Sequence, residues 1–342
     1  MPDKILTKDG LDAFIHKLVK DYDLYAPVLK GADHTWSKIQ DSHNVAWEFA
    51  NTAKSPKEFF LPQSERLLHF TNNPDDPDGM IMHEEPGADR PKALLNIRPC
   101  DAKAFDVLDL VFCQDEQAPD VYWKSKRDAA LLIGLACKSP CPTCFCSSVH
   151  CGPHHQEGLD ILLVDLGPKL LVRPLTSKGE AVSADLKEAP QEAVQEAEKQ
   201  KAQAEKAITS RVDMDKLQDR TVLEEYDQAI WDRVHESCIN CGTCTFYCPT
   251  CHCFDIQDET QDEFGHRIRN WDTCMSWLFT HHTSGHNPRE SKKDRVRQRF
   301  MHKFKYMPIK LGGAIGCVGC GRCTQKCPVN IDVREVVNSM NE

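Results

Sequence analysis

Cys238-Ile239-Asn240-Cys241-Gly242-Thr243-Cys244-Thr245-Phe246-Tyr247-Cys248-Pro249 and Cys317-Val318-Gly319-Cys320-Gly321-Arg322-Cys323-Thr324-Gln325-Lys326-Cys327-Pro328 share one spacing, Cys-x2-Cys-x2-Cys-x3-Cys-Pro. This is the bacterial ferredoxin pattern, in which three close thiolates wrap one iron–sulfide cube and the fourth cysteine ligates the other. The spacing assigns Cys238, Cys241, Cys244 and Cys327 to one [4Fe–4S] cluster. Cys317, Cys320, Cys323 and Cys248 fall to a second. Gly242, Gly319 and Gly321 let backbone N–H groups approach sulfur, and Pro249 and Pro328 stop the local helix after each swapped ligand. Zinc takes separated Cys-x2-Cys pairs, so two triplets each followed by Cys-Pro disfavour it.

Between the runs, Trp271 to His281 and Arg289 to Phe304 read as helical, and so does Asp332 to Met340 beyond them. Residues 220–342 are thus expected to form a helical, ferredoxin-like two-cluster domain with an insertion. Cys251, Cys253 and Cys274 lie in that insertion. With a non-cysteine partner they can hold a fourth cluster; the plainer reading packs them against the first cluster as small polarisable side chains. Lys292, Lys293, Arg295, Arg297, Arg299, Lys303 and Lys305 form a basic run. Such a run is more often a solvated helix face than an offset to cluster charge. His281, His282 and His286 have no visible carboxylate partner and read as ordinary polar residues.

Upstream, residues 184–219 are rich in Ala, Glu, Gln and Lys and read as a polar helical linker with little to bury. Residues 1–183 read as an α/β domain, giving an α+β protein as a whole. Residues 1 to about 70 look like mixed helix and loop, with a helix over Leu11 to Leu24, and 72–79 is a surface loop by its turn chemistry. Ala93 to Ile97 is an apolar strand leading through Arg98-Pro99-Cys100 to Asp101 as N-cap of a helix ending near Phe112. Ala129 to Leu135 is a second buried strand, ending at Cys137. Ile161 to Val164 and Leu170 to Arg173 form a hairpin.

Cys100 and Cys137 therefore sit at the carboxyl ends of two strands, the edge where open α/β sheets bind ligands. With Cys144 and Cys146 closing over them they can hold a third cluster, the Cys100 thiolate favoured by the helix dipole. Buried structural thiols, or a zinc site using His150, His154 or His155, are the alternatives. Cys137-x3-Cys141-x2-Cys144 also matches the radical S-adenosylmethionine spacing. However, Thr143 stands where an aromatic is usual, and no run of βα units follows.

The composition limits the rest. The 342 residues suffice for two domains, and a formal net charge of −10 argues against nucleic acid. The longest apolar run, Ala129 to Ala136, is far too short for membrane insertion. The first residues show no signal peptide, so a cytoplasmic chain is expected, and its eighteen cysteines suit metal better than a disulfide framework. There is no G-x-G-x-x-G and no P-loop.

Phe60-Leu61-Pro62 with Glu65-Arg66-Leu67, Arg98-Pro99-Cys100-Asp101, Cys137 with Cys144-Phe145-Cys146, Cys248-Pro249-Thr250-Cys251-x-Cys253, Trp271-x2-Cys274 and the two ferredoxin runs together carry a resemblance. The chain resembles the iron–sulfur subunits shared by sulfhydrogenases (where it is the beta subunit), anaerobic sulfite reductase and flavin-oxidoreductase complexes coupled to heterodisulfide reductase. The resemblance implies a third [4Fe–4S] cluster on Cys100, Cys137, Cys144 and Cys146, with Cys113, Cys141 and Cys151 extra to the pattern. It also implies an electron-transfer subunit of anaerobic metabolism without catalysis of its own. Such a protein relays single electrons from a flavin/NAD(P)-binding subunit to a catalytic one such as hydrogenase, heterodisulfide reductase or sulfite reductase, or in the reverse direction. The alternative is an iron–sulfur enzyme that itself reduces a disulfide or sulfur compound. The residues favour the relay, because no substrate-activating constellation is visible.

Overall fold

A computed structural model describes residues 1–72, 80–84 and 90–342. The surface loop expected over 72–79 lies, from residue 73 on, outside the described residues. Twelve strands are described: β1 (Lys4–Thr7), β2 (Asp23–Lys30), β3 (Asp33–Lys38), β4 (Ser64–Asn72), β5 (Met80–Glu84), β6 (Lys92–Ile97), β7 (Leu131–Leu135), β8 (Ile161–Asp165), β9 (Lys169–Pro174), β10 (Lys187–Glu188), β11 (Phe254–Gln261) and β12 (Phe264–Trp271).

Eight of them make one sheet in the order β10-β1-β9-β8-β7-β6-β2-β3. Its centre, β2, β6, β7 and β8, is parallel. Parallel strands covered on both faces read as near-continuous apolar runs, which is why β6 and β7 are legible in the sequence. On one face Leu131, Ile133 and Leu135 pack with Leu11, Phe14, Ile15 and Leu18 of the helix Leu11–Asp21. On the other, Leu132 packs with Ala102, Phe105 and Leu108 of the helix Pro99–Phe112 and with Ala193 and Ala197 of the helix Gln191–Ala207. The stretch expected to have little to bury thus lays an alanine stripe on this sheet. Ile133 is fully buried. Ile133→Ala should cost about 2–5 kcal/mol, read as a lower denaturant midpoint.

The amino-terminal stretch differs from the mixed helix and loop expected. It contains β1 to β4, and the helix from Leu11 ends at Asp21 because β2 begins at Asp23. Pro27 disguises β2, since proline is confined to edge or unpaired strand positions. Here β2 meets β6 only over Asp23 to Tyr25, and from Ala26 on it pairs with β3 alone. The strand expected from Ala129 starts at Leu131, because Asp120 caps a helix over Val121–Ala129 by accepting from Trp123 N at 2.8 Å. The hairpin of β8 and β9 is present as expected.

A second sheet has the order β11-β12-β4-β5. Here the helix expected from Trp271 to His281 is overturned: Trp271 ends β12, and only a short 3-10 turn at Leu278–Thr280 follows. The two-residue turn Asp262-Glu263 joins β11 to β12, with Asp262 at φ 55°. The alternation there is mostly polar, so the period-two signal is weak. This hairpin, inserted between Cys248 and Cys317, pairs with β4 of the amino-terminal half. Arg269, buried in it, binds Glu65 of β4 at 2.5 Å and also Asp120. The helix Lys292–Met301 runs on as a π turn, His302–Tyr306, and a last helix spans Val333–Met340.

Candidate iron–sulfur centres

The two ferredoxin runs fold alike. In each, a glycine in the left-handed region, Gly242 at φ 75° or Gly321 at φ 74°, precedes a single helical turn, Thr243–Phe246 or Arg322–Gln325, that ends before Cys-Pro. Cys238, Cys241, Cys244 and Cys327 line one cavity, with Cys323 and Arg299 in its wall. Cys248, Cys317, Cys320 and Cys323 line a second, with Arg299 and Lys303. Residues far apart in sequence thus bring four thiols to each cavity. Backbone N–H groups already point at sulfur: Asn240 N donates to Cys238 Sγ at 3.4 Å, Gly319 N to Cys317 Sγ at 3.4 Å and Ile331 N to Cys327 Sγ at 3.3 Å. Such bonds set cluster potential.

Because β6 and β7 are parallel neighbours, their carboxyl ends lie side by side. Cys100, Cys137, Cys144 and Cys146 line a third cavity beyond that edge. Cys141 and Cys320 share its wall, and no histidine does. His154 is buried elsewhere and held neutral, at about 4, chiefly by that burial. Cys141 and Cys144 stand sulfur to sulfur as a disulfide, Cα atoms 5.3 Å apart, so Cys144 either pairs with Cys141 or serves as a ligand. Asp101 is not the helix cap expected. Arg98 takes that position, Pro99 opens the helix, and Cys100 and Asp101 lie in its first turn. Nor does the helix dipole win at Cys100: burial first, then the Asp101 carboxylate, hold its thiol well above the ordinary range. Burial likewise pushes Cys146 and Cys320 up to about 12. These thiols give up their protons only as a metal binds, so iron uptake by the apo chain should rise with pH, measured as the rate of cluster reconstitution.

The third cavity is fastened to the second. Phe145 N donates to Gly319 O at 2.9 Å, and Asn51 Nδ2 to Cys320 O at 2.8 Å. Arg322, one residue before Cys323, binds Asp101 in bidentate fashion, Nη1–Oδ1 2.5 Å and Nη2–Oδ2 2.8 Å. Both side chains are only 1% exposed. A Cβ at Gly319 would lie 2.5 Å from Cys146 N, and Gly319 sits at φ 63°. Gly319→Ala should therefore separate the two loops and lower the iron content, read on the anaerobically purified chain.

The basic run is not the solvated face expected. Arg299, Lys303 and Lys305 are buried and the other four are half-buried. Lys305 satisfies carbonyls, donating to Leu217 O at 2.8 Å and Arg220 O at 2.5 Å. Arg299, Lys303 and the equally buried Lys57 have no carboxylate partner among the described residues. Buried cations need compensating negative charge, and thiolate-bound cubes supply it. Among the described residues no three or more His, Cys, Asp or Glu close on a point suited to one metal ion.

Cys251, Cys253 and Cys274 line none of these three cavities. Cys113 caps the helix Pro99–Phe112 away from them, and Cys151 packs beside Cys100. His281, His282 and His286 are exposed. No helix among the described residues is long and apolar enough to cross a membrane.

A 4Fe–4S dicluster domain family matches residues 237–331. The chain is 26% identical to sulfhydrogenase 2 subunit beta of Pyrococcus furiosus over 337 residues, which is 96% of this chain and 95% of that one. No solved structure matches. The chain is an iron–sulfur protein of electron transfer.

Proposed function

With its likeness to sulfhydrogenase-beta-like iron–sulfur subunits along nearly the whole chain as premise, we propose that it relays single electrons through [4Fe–4S] clusters inside an oxidoreductase complex. Cys238, Cys241, Cys244 and Cys327 hold the first cluster, Cys317, Cys320, Cys323 and Cys248 the second, and Cys100, Cys137, Cys144 and Cys146 a third. The observation that carries this reading is the row of cavities. The first and second share Cys323 in their walls, and the second and third share Cys320. Neighbouring cubes would be separated by little more than one side chain. Burial and N–H···S bonds keep water away and tune potentials, while the cubes supply the one-electron chemistry.

Residues 1–183 carry the third cluster, 184–219 connect, and 220–342 carry the ferredoxin pair. A flavin/NAD(P)-binding subunit feeds the row, and a catalytic redox subunit, such as a hydrogenase, heterodisulfide reductase or sulfite reductase, drains it, in the cytoplasm. The purified chain should accept electrons from a reduced dye, seen as bleaching of its visible absorption, without turning over a disulfide or polysulfide. Turnover by the chain alone would favour the reductase reading. Cys146→Ser should remove about 4 iron atoms per chain, and unchanged iron would remove the third cluster from the scheme.

A further inference from the structure

Beside the second cavity, three further cysteines converge. Cys253 and Cys274 line one cleft together, and Cys251 lies two residues from Cys253 and three from Cys248. Two chain segments bring them together: Cys251 and Cys253 follow the first ferredoxin run, and Cys274 follows β12, held by Asp272 N donating to Cys253 O at 2.9 Å. Two buried cations serve this group. Arg299 Nη1 reaches Cys251 Sγ at 3.4 Å, and Lys57 Nζ donates to Cys251 O at 2.9 Å while lying 4.1 Å over the Trp271 ring. Neither has a carboxylate partner among the described residues. On the outer side a wide cleft, lined by Cys253, Cys274, His252, His302 and Arg289, opens toward solvent. His252 Nδ1 lies 3.0 Å from Thr250 O.

We propose that Cys251, Cys253 and Cys274 hold a fourth [4Fe–4S] cluster whose remaining iron faces this cleft and takes a donor other than cysteine. Simple packing thiols would leave unexplained the buried Lys57, which lies outside the walls of the first three cavities and has no anion beside it there. A cube bound by three thiolates supplies the missing anion. Its place beside Cys248, a ligand of the second cluster, puts it at a branch of the relay and not at its end. A cluster with one iron free of cysteine, beside two imidazoles and Arg289, is also the point in the chain that a small anionic ligand can reach.

The test is iron and acid-labile sulfide on the anaerobically purified full chain, with Cys253→Ser, Cys274→Ser and Cys137→Ser in parallel. About 16 iron atoms per chain are expected, falling by about a quarter in Cys253→Ser and in Cys274→Ser. The electron paramagnetic resonance of the remaining clusters should stay unchanged. Ferricyanide, as electron acceptor, should release ferrous iron from the cleft-facing corner and leave a three-iron signal that both variants lack. Lys57→Met should shift the potential of this centre downward, because a cation near a cluster favours its reduced, more negative form. Iron content unchanged in both serine variants, or one zinc per chain lost with them, overturns the proposal. Cys137→Ser reports on the third cluster alone, so failure of that centre and failure of this one are separable.

Discussion

Asp101→Ala is expected to cost about 3–5 kcal/mol, the penalty for stranding a buried guanidinium. Among the described residues Arg322 keeps only its bonds to Thr52 once the carboxylate is gone, Nε to Thr52 O at 3.0 Å and Nη2 to Thr52 Oγ1 at 3.1 Å. The damage should be local before it is global. Arg322 belongs to the loop of the second centre and Asp101 to the turn that carries Cys100, so both centres should lose iron while the first keeps its signature. A paired apolar replacement, Asp101→Leu with Arg322→Met, removes both charges and should recover most of the lost stability, because the pair's own net contribution is small against its desolvation cost. The measurements are denaturant midpoint and iron content of the three proteins. A single variant as stable as the parent would show that the pair does not clamp the junction.

Cys327→Ser should silence the centre of Cys238, Cys241 and Cys244, although it lies in the other run. The prediction follows from the first cavity, where Cys327 stands with those three thiols. Cys327→Ser and Cys238→Ser should give superimposable spectra of what remains, each about 4 iron atoms short. Cys320→Ser should give a different spectrum. If Cys327→Ser instead matched Cys320→Ser, each run would hold its own cube and the exchange of fourth ligands would be wrong.

Cysteine spacing and strand ends carry much of this architecture in plain sight. The two ferredoxin runs fix their local turns through glycine and proline, which act within a few residues and so are legible without a fold. Cys100 and Cys137 are legible as neighbours because buried parallel strands announce themselves as apolar runs, and their carboxyl ends share an edge. What sequence hides is non-local. β11 and β12 alternate mostly polar residues, and their pairing with β4 depends on the buried contact of Arg269 with Glu65, two residues far apart in the chain. Lysines and arginines at 299, 303 and 305 look like solvent-facing residues until the cavities beside them are known. The Cys100 thiol is misread for the same reason: a helix dipole can be read from a pattern, whereas burial by Val318 and Cys320 cannot.

The wide separation of Cys238 and Cys327 has a consequence in time. At about 5–20 residues per second a ribosome needs roughly 4–18 s to add the stretch between them. Through that interval Cys238, Cys241 and Cys244 form an incomplete triplet, while Cys248 waits for Cys317. The strand that pairs with β12 is made early, but the thiols of the amino-terminal cavity have no Cys320 wall until the second ferredoxin run has been made. Closure of the first three centres therefore waits until the second ferredoxin run has been made. Until then the nascent chain displays open thiols to whatever metal or oxidant is at hand.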